Sequence, residues 1–295
     1  MLKNNTLLGI VYGVLFLGVI LVIFLGYNKP GDDVLVFEYP NGDISFAGES
    51  VPISGVNTDV KERFDKEFLQ TSSNLYQFYL YVKRYPLYIP LIEQELENAG
   101  LPDDFKYMSI AESALRNDVV SSAGAAGVWQ FMPETAKRYG LEVTELVDER
   151  YHFEKATRAA MEYLGDLYEQ FDDGALVAAA YNRGENGLRR DMESQGVDNY
   201  YDLYLNQETS RYVFRIIAIK YVLESYFERK DIIDKLIGGV YKKPQTTTIL
   251  VSSIANLAEW SNRNGYTYKD IKNLNRWIVG ESLPDGNWEI TILKD

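Results

Sequence analysis

The sequence predicts a mainly α-helical protein with a small α+β module at its C-terminus and one transmembrane helix at its N-terminus. Three observations carry that expectation. Apolar residues recur at three- and four-residue steps from Val60 to about Leu236. The pattern changes after Pro244, where Thr246–Val251 and Trp288–Leu293 read as strands. Residues Leu7–Leu25 hold no charged side chain, and as a helix they span roughly 28 Å, about the thickness of a bilayer core.

Taken in order, residues 1–28 read as a membrane anchor or an export signal. Lys3 precedes the apolar run, and Lys29, Asp32 and Asp33 follow it. The short N-terminal tail favours an inside N-terminus, with the remainder exported. No small-x-small cleavage site follows Leu25, which favours an uncleaved anchor over a cleaved signal peptide. Residues 29–58 read as a linker. Two short apolar runs, Val34–Phe37 and Ile44–Phe46, flank the turn signal Pro40-Asn41-Gly42-Asp43, which allows one small hairpin.

A helical domain then covers residues 59–240. The periodicity predicts a helix over Val60–Val82 and a second over Leu87–Leu96, with Pro90 tolerable only in its first turn. A third starts at Pro102-Asp103-Asp104 and runs to about Arg116. After a loop rich in Ser, Ala and Gly, Pro133 opens a helix that stops at Gly140. Phe153–Phe171, Gly174–Tyr181 and Thr209–Tyr226 follow as helices, and no strand pair stands out, so this region reads as all-α. Residues 245–295 read as strand, two short helices (Ser253–Ser261 and Tyr268–Leu274) and strand.

Composition excludes several kinds of chemistry. The net charge of −13 and the lack of any basic run argue against nucleic acid as a partner. With no Cys there is no disulfide framework, thiolate nucleophile, Cys-based metal site or lipid-modified N-terminal cysteine. A single His, His152, leaves little room for a Ser-His-Asp triad or a multi-His zinc site. Carboxylates, hydroxyls, amides and aromatic rings remain. Tyr is abundant, at 23 against 13 Phe, which suits a sugar groove and equally suits ordinary half-buried positions.

Glu112 is the conspicuous carboxylate. It lies among Phe105, Tyr107, Met108, Ile110, Ala111, Ala114 and Leu115. Burial there would favour the neutral acid and raise its pKa, as a general acid requires; an exposed stripe of an amphipathic helix is the competing reading. The loop Ser121–Gly127 lets backbone approach a ligand closely, and Trp129, Gln130 and Met132 follow it with stacking, amide and soft apolar surfaces. Ala179–Gly184 forms a second polar-aromatic cluster, although Asn182 or Gly184 also suits a helix C-cap.

Four motifs in order carry a resemblance over about residues 58–230. They are Glu112-Ser113; Ser121-x-x-Gly124-Ala125-x-Gly127-x-Trp129-Gln130-Phe131-Met132-Pro133; Ala180-Tyr181-Asn182-x-Gly184; and Glu208-Thr209-x-x-Tyr212. Together they resemble the soluble-lytic-transglycosylase domain of lytic murein transglycosylases, close to goose-type lysozyme. The likeness is greatest to the membrane-bound type D, through Leu101-Pro102, Tyr139-Gly140-Leu141 and Val147-Asp148-Glu149-Arg150.

The resemblance implies a lysozyme-like, all-helical catalytic domain acting on peptidoglycan glycan strands at the cell envelope, facing the periplasm. It implies cleavage of the β-1,4 bond between N-acetylmuramic acid and N-acetylglucosamine with formation of a 1,6-anhydromuramoyl end, and no metal or organic cofactor. Glu112 would act first as acid and then as base; the alternatives are a lysozyme-like hydrolase of the same bond, favoured by a second aligned carboxylate for which Asp118 and Glu134 are close in sequence, and a non-catalytic peptidoglycan-binding scaffold, against which the intact Glu112-Ser113 counts. Ser113, Ser121, Gln130, Met132, Tyr181 and Asn182 match substrate-side positions, with the Tyr181 hydroxyl expected on Glu112 or on the N-acetyl group. Glu208 matches an orienting carboxylate, or is a Glu favoured at a helix N-terminus. Tyr212 reads as structural. The C-terminal module is LysM-like: Asn273-Leu274-Asn275 resembles the LysM asparagine region, while Val251-Ser252-Ser253 stands where Gly-Asp-Thr is usual.

Overall fold

The computed structural model describes residues 37–40, 42–53 and 58–294. The charge-free run 7–25 lies outside them. Among the described residues no helix is long and apolar enough to cross a membrane.

The chain from Glu38 onward forms one unit. It begins with a hairpin of β1 (Ser45–Phe46) and β2 (Glu49–Ser50). Its turn is not the Pro40–Asp43 signal but Ala47-Gly48, both at positive φ (52° and 85°), the conformation that matches strand twist. The hairpin is no free linker. Phe46 is buried against Phe105, and the Ala47 N–H donates to Asp104 at 2.8 Å. Gly174 lies so close that a side chain there would sit 2.2 Å from the Ala47 methyl.

Two long helices follow, α1 (Thr58–Ser73) and α2 (Leu75–Ala99). The break falls at Asn74, whose side chain caps α2 by accepting from the Gln77 N–H, and not near Val82 as the periodicity suggested. Helix α2 then runs through both Pro86 and Pro90 to an αL stop at Gly100. Near the first proline, the Lys83 carbonyl accepts from the Tyr241 N–H. Packing of Phe78, Val82, Ile89, Ile92 and Leu96 outweighs the local cost of the prolines.

A short 3₁₀ turn (Asp103–Phe105) leads into α3 (Lys106–Ser113), which carries Glu112 and stops three residues before Arg116. It stops there because Ala114 and Leu115 both take φ of 56°. After the glycine loop come α4 (Pro133–Arg138), α5 (Phe153–Phe171), α6 (Gly174–Arg183), α7 (Glu185–Gln195), α8 (Gln207–Glu228) and α9 (Lys230–Ile237). Helix α8 is the hub: α1, α3 and α6 all pack on it, and its residues Val213–Ile219 are almost all buried. The region is helical apart from isolated bridges, Val120 to Ala126, Ala126 to Phe131 and Val143 to Asp148.

The C-terminal module pairs β3 (Thr246–Val251) with β4 (Trp288–Leu293) antiparallel, Ile249 opposite Ile290, and packs α10 (Leu257–Arg263) and α11 (Tyr268–Leu274) beside them. Its core joins Leu257, Ile271, Trp277, Ile278 and Ile290 with Val147 of the helical region. Asn275 is fully buried and ties α11 to β4, donating to the Thr291 carbonyl and accepting from its N–H.

Candidate active site

Glu112 sits on the last turn of α3, where that helix crosses α8. The residues before it, Tyr107, Met108 and Ile110, are buried, and Glu112 itself is half-buried, its carboxyl partly desolvated by the surrounding side chains. The Tyr212 hydroxyl, on α8, donates to Glu112 Oε1 at 2.6 Å. Burial raises the Glu112 pKa to about 7; the Tyr212 hydrogen bond and the Arg215 charge oppose the rise, and the Glu208 charge adds to it. A carboxyl so placed is protonated near neutral pH and still able to release its proton.

The backbone around it is held in uncommon conformations. Ala114, Leu115 and Gln130 all have positive φ, between 49° and 56°. Such residues persist only where surrounding contacts over-determine them, and here the Arg84 guanidinium donates to the Ala114 carbonyl at 2.9 Å. The glycine loop is built the same way. Gly127 has φ of 78°, and a Cβ there would lie 2.0 Å from the Arg150 carbonyl.

Arg150 is the clasp of that loop. It is buried with Asp148, which takes Nε at 2.9 Å and Nη2 at 2.7 Å, while Nη1 donates to the carbonyls of Gly124 (2.7 Å) and Phe131 (3.0 Å). One planar guanidinium thus ties two carbonyls of the loop, through Nη1, to the Asp148 carboxylate, through Nε and Nη2. Nothing in the sequence pattern marked this role, though the opposite charges of Asp148 and Arg150, two residues apart, were the available signal.

The residues expected at the site divide into three groups. Tyr181 lies close enough that the Glu112 charge pushes its pKa further up, but its hydroxyl donates to the Trp129 carbonyl at 2.7 Å, so Tyr212 and not Tyr181 holds the carboxyl. Its ring packs on Tyr163, with centroids 5.2 Å apart. Asn182 Oδ1 accepts from Thr209 at 2.9 Å, joining the end of α6 to the first turn of α8, where Glu208 lies exposed. Ser121 is exposed, and its Oγ accepts from the Ala125 N–H at 3.0 Å. Gln130 donates to the Gly127 carbonyl at 2.9 Å, and Met132 is exposed beside it. Ser113 points the other way: it is buried and donates to the Ser109 carbonyl at 3.1 Å within its own helix.

The carboxylate whose charge acts on Glu112 is Glu208, and neither Asp118 nor Glu134 stands among the groups that shift it. Asp118 is engaged by Arg116 at 3.1 Å, and Glu134 is exposed in the first turn of α4. Among the described residues no group of His, Asp and Glu is arranged to hold a metal ion.

Comparison with known families places this arrangement. Residues 90–203 match the family described as the transglycosylase SLT domain. The matched segment lies inside the helical region and contains Glu112, the glycine loop and the end of α6. Residues 246–292 match the soluble lytic transglycosylase C-terminal LysM-like domain. The chain is homologous to membrane-bound lytic murein transglycosylase D of Escherichia coli, 26% identical over 253 residues, covering 83% of this chain and 54% of that protein. It therefore spans about half the length of that relative. Peptidoglycan transglycosylase gp16 of Escherichia phage T7 is 36% identical over 104 residues, 34% of this chain and 8% of that one. The 70 kDa soluble lytic transglycosylase of Escherichia coli, a solved structure, aligns with a TM-score of 0.42 at 22% identity, over 57% of this chain and 29% of that chain. Within the matched segment, α3, the glycine loop and the end of α6 supply the surfaces just described, and α8, just beyond it, supplies Tyr212 and Arg215.

Proposed function

We propose that this chain is a peptidoglycan lytic transglycosylase that cuts between N-acetylmuramic acid and N-acetylglucosamine, with Glu112 as its acid and base. The observation that carries the reading is a single carboxyl with its pKa raised to about 7, held by one tyrosine hydroxyl beside a rigid glycine loop. Protonated Glu112 gives its proton to the glycosidic oxygen as the bond to C1 breaks. The resulting carboxylate then takes the proton of the muramoyl 6-hydroxyl as that oxygen attacks C1. One group thus closes the cycle with no water consumed, and its pKa near neutrality serves both steps.

In this reading Ser121, Gln130, Met132, Tyr181 and Asn182 line the glycan, with the Tyr181 ring as an apolar wall, and Glu208 adjusts Glu112 by its charge. Ser113 serves by closing α3. The catalytic domain spans residues 59–240, the LysM-like module spans 245–295, and both work at the cell envelope on the periplasmic side, with 1–28 as the anchor. The name of the type D relative supports the envelope location.

The test is digestion of purified peptidoglycan followed by mass spectrometry of the soluble fragments. Fragments ending in anhydromuramic acid, one water lighter than reducing ends, are the expected product. Reducing ends alone would make the enzyme a hydrolase.

A further inference from the structure

Where the LysM-like module meets the SLT domain there is a cleft of about 390 Å³ that the mechanism does not use. Its walls come from both parts: Tyr88, Asn117 and His152 on one side, Asn273, Arg276 and Trp277 on the other. A second hollow of about 300 Å³ shares Asn117, Tyr151, Asn273 and Arg276, so the two form one trough with Arg276 common to both.

The chemistry of the trough is specific. Lys243 and Arg276 line it, and neither forms an ion pair among the described residues. Arg276 has only a long contact to Asn273 Oδ1, at 3.5 Å. The nearby Asp118 is held by Arg116 through two contacts of 3.1 and 3.4 Å, and the Arg276 charge reaches it without an ion-pair contact. The other carboxylate on the wall, Glu154, faces His152 Nδ1 at 3.5 Å. On a chain of net charge −13, this polar, aromatic-walled trough presents two cations with no carboxylate in ion-pair contact among the described residues. The buried Oδ1 of Asn117 also lacks a hydrogen-bond partner, while its Nδ2 donates to the Tyr151 carbonyl at 2.6 Å.

The trough also adjoins the catalytic loop. Asn117 belongs to the segment leading from α3 to Ser121, and Tyr151 follows Arg150, whose carbonyl abuts Gly127. A substrate lying along that loop carries side branches, and those of peptidoglycan are short peptides bearing free carboxylates.

We propose that the trough between the two domains is a binding site for the carboxylate-bearing peptide stem of the glycan strand, with Arg276 and Lys243 as its cationic contacts. This rests on the peptidoglycan reading above. Arg276 supplies a planar fork suited to a carboxylate, Lys243 a second charge at the rim, Asn117 and Asn273 amide contacts, and Tyr88 and Trp277 the apolar sides. The module in this arrangement reads the stem while the SLT domain reads the sugar.

The test compares strands that carry stems with strands stripped of them by an amidase, using the full chain. Arg276→Ala and Arg276→Glu should raise KM on stem-bearing strands by about tenfold, leave kcat in place, and leave stripped strands unaffected. An equal change on both substrates, or none on either, overturns the proposal. A second measurement does not depend on turnover. A synthetic stem tripeptide with free carboxylates should bind the Glu112→Gln chain saturably in NMR titration, and should lose that binding when its carboxylates are amidated or Arg276 is replaced. No binding by the free-carboxylate peptide sinks the proposal even if the enzyme cuts strands normally. Binding of the peptide alongside a wild-type chain that cuts neither substrate would instead sink only the catalytic reading.

Discussion

Two glutamates lie against the same helix in opposite company. Glu112 meets α8 through the Tyr212 hydroxyl, and Arg215 acts on it only through its charge. Glu67, on α1, is more fully buried and is ion-paired to Arg211, with Arg215 Nε at 3.7 Å on its other oxygen. Neighbouring residues of α8 thus give one carboxylate a guanidinium pair and the other a neutral donor. A buried carboxylate matched to guanidinium serves structure. One matched to a hydroxyl in apolar surroundings holds its proton near neutrality and serves chemistry. Arg215 stands between the two, engaged by Glu67 and thereby restrained from Glu112.

The strongest way to break that contrast is Glu112→Gln. Activity on peptidoglycan should fall by about 10³-fold or more, measured as release of soluble fragments. Stability should not fall with it. The Glu112 carboxyl binds its proton more tightly folded than unfolded, so its contribution is full below the ordinary glutamate range and is lost as pH rises through about 7. Denaturant melts at pH 5 and pH 8 should therefore show a smaller pH dependence in the Gln variant.

Next in size is Arg150→Met. It leaves Asp148 buried without its partner and frees two loop carbonyls, at a cost of about 3–5 kcal/mol in urea unfolding. Replacing Asp148 and Arg150 together by apolar residues should cost less than Arg150→Met alone. Glu67→Gln sharpens the comparison differently. It should cost about 1–3 kcal/mol and release Arg215 toward Glu112, so the alkaline limb of the pH–rate profile moves to lower pH.

Tyr212→Phe should shift that limb the other way. The hydroxyl donates to the carboxyl and opposes its raised pKa, so removing it moves the limb to higher pH and slows turnover by about tenfold. The smallest expected effect is Glu208→Gln. It removes a like charge and should bring the alkaline limb slightly down, with kcat nearly intact.

Much of this contrast was legible in the sequence, and the losses have physical causes. The helices α5 and α11 and both strands of the C-terminal module appear within the ranges that periodicity gave them. Helix α2 defeated local reading because its prolines are outweighed by a buried stripe that only tertiary packing reveals. Helix α7 was missed because its sequence is polar almost throughout, with only Gly187 and Leu188 buried. At the site, Glu112 stood out as a carboxyl among apolar neighbours. Which tyrosine holds it was not readable, since Tyr181 and Tyr212 both occur in matched motifs and only the crossing of α3 over α8 selects between them. Arg150 was seen as part of a motif, but its contact with the glycine loop depends on the fold.

The proton on Glu112 can be followed directly. With carboxyl-labelled glutamate and the Glu112→Gln chain to assign the resonance, a ¹³C NMR titration reads this side chain alone. A midpoint at about 7 is the expected result. A midpoint in the ordinary range of roughly 4 to 5 would mean an ionised carboxylate at neutral pH, with no proton to give the glycosidic oxygen.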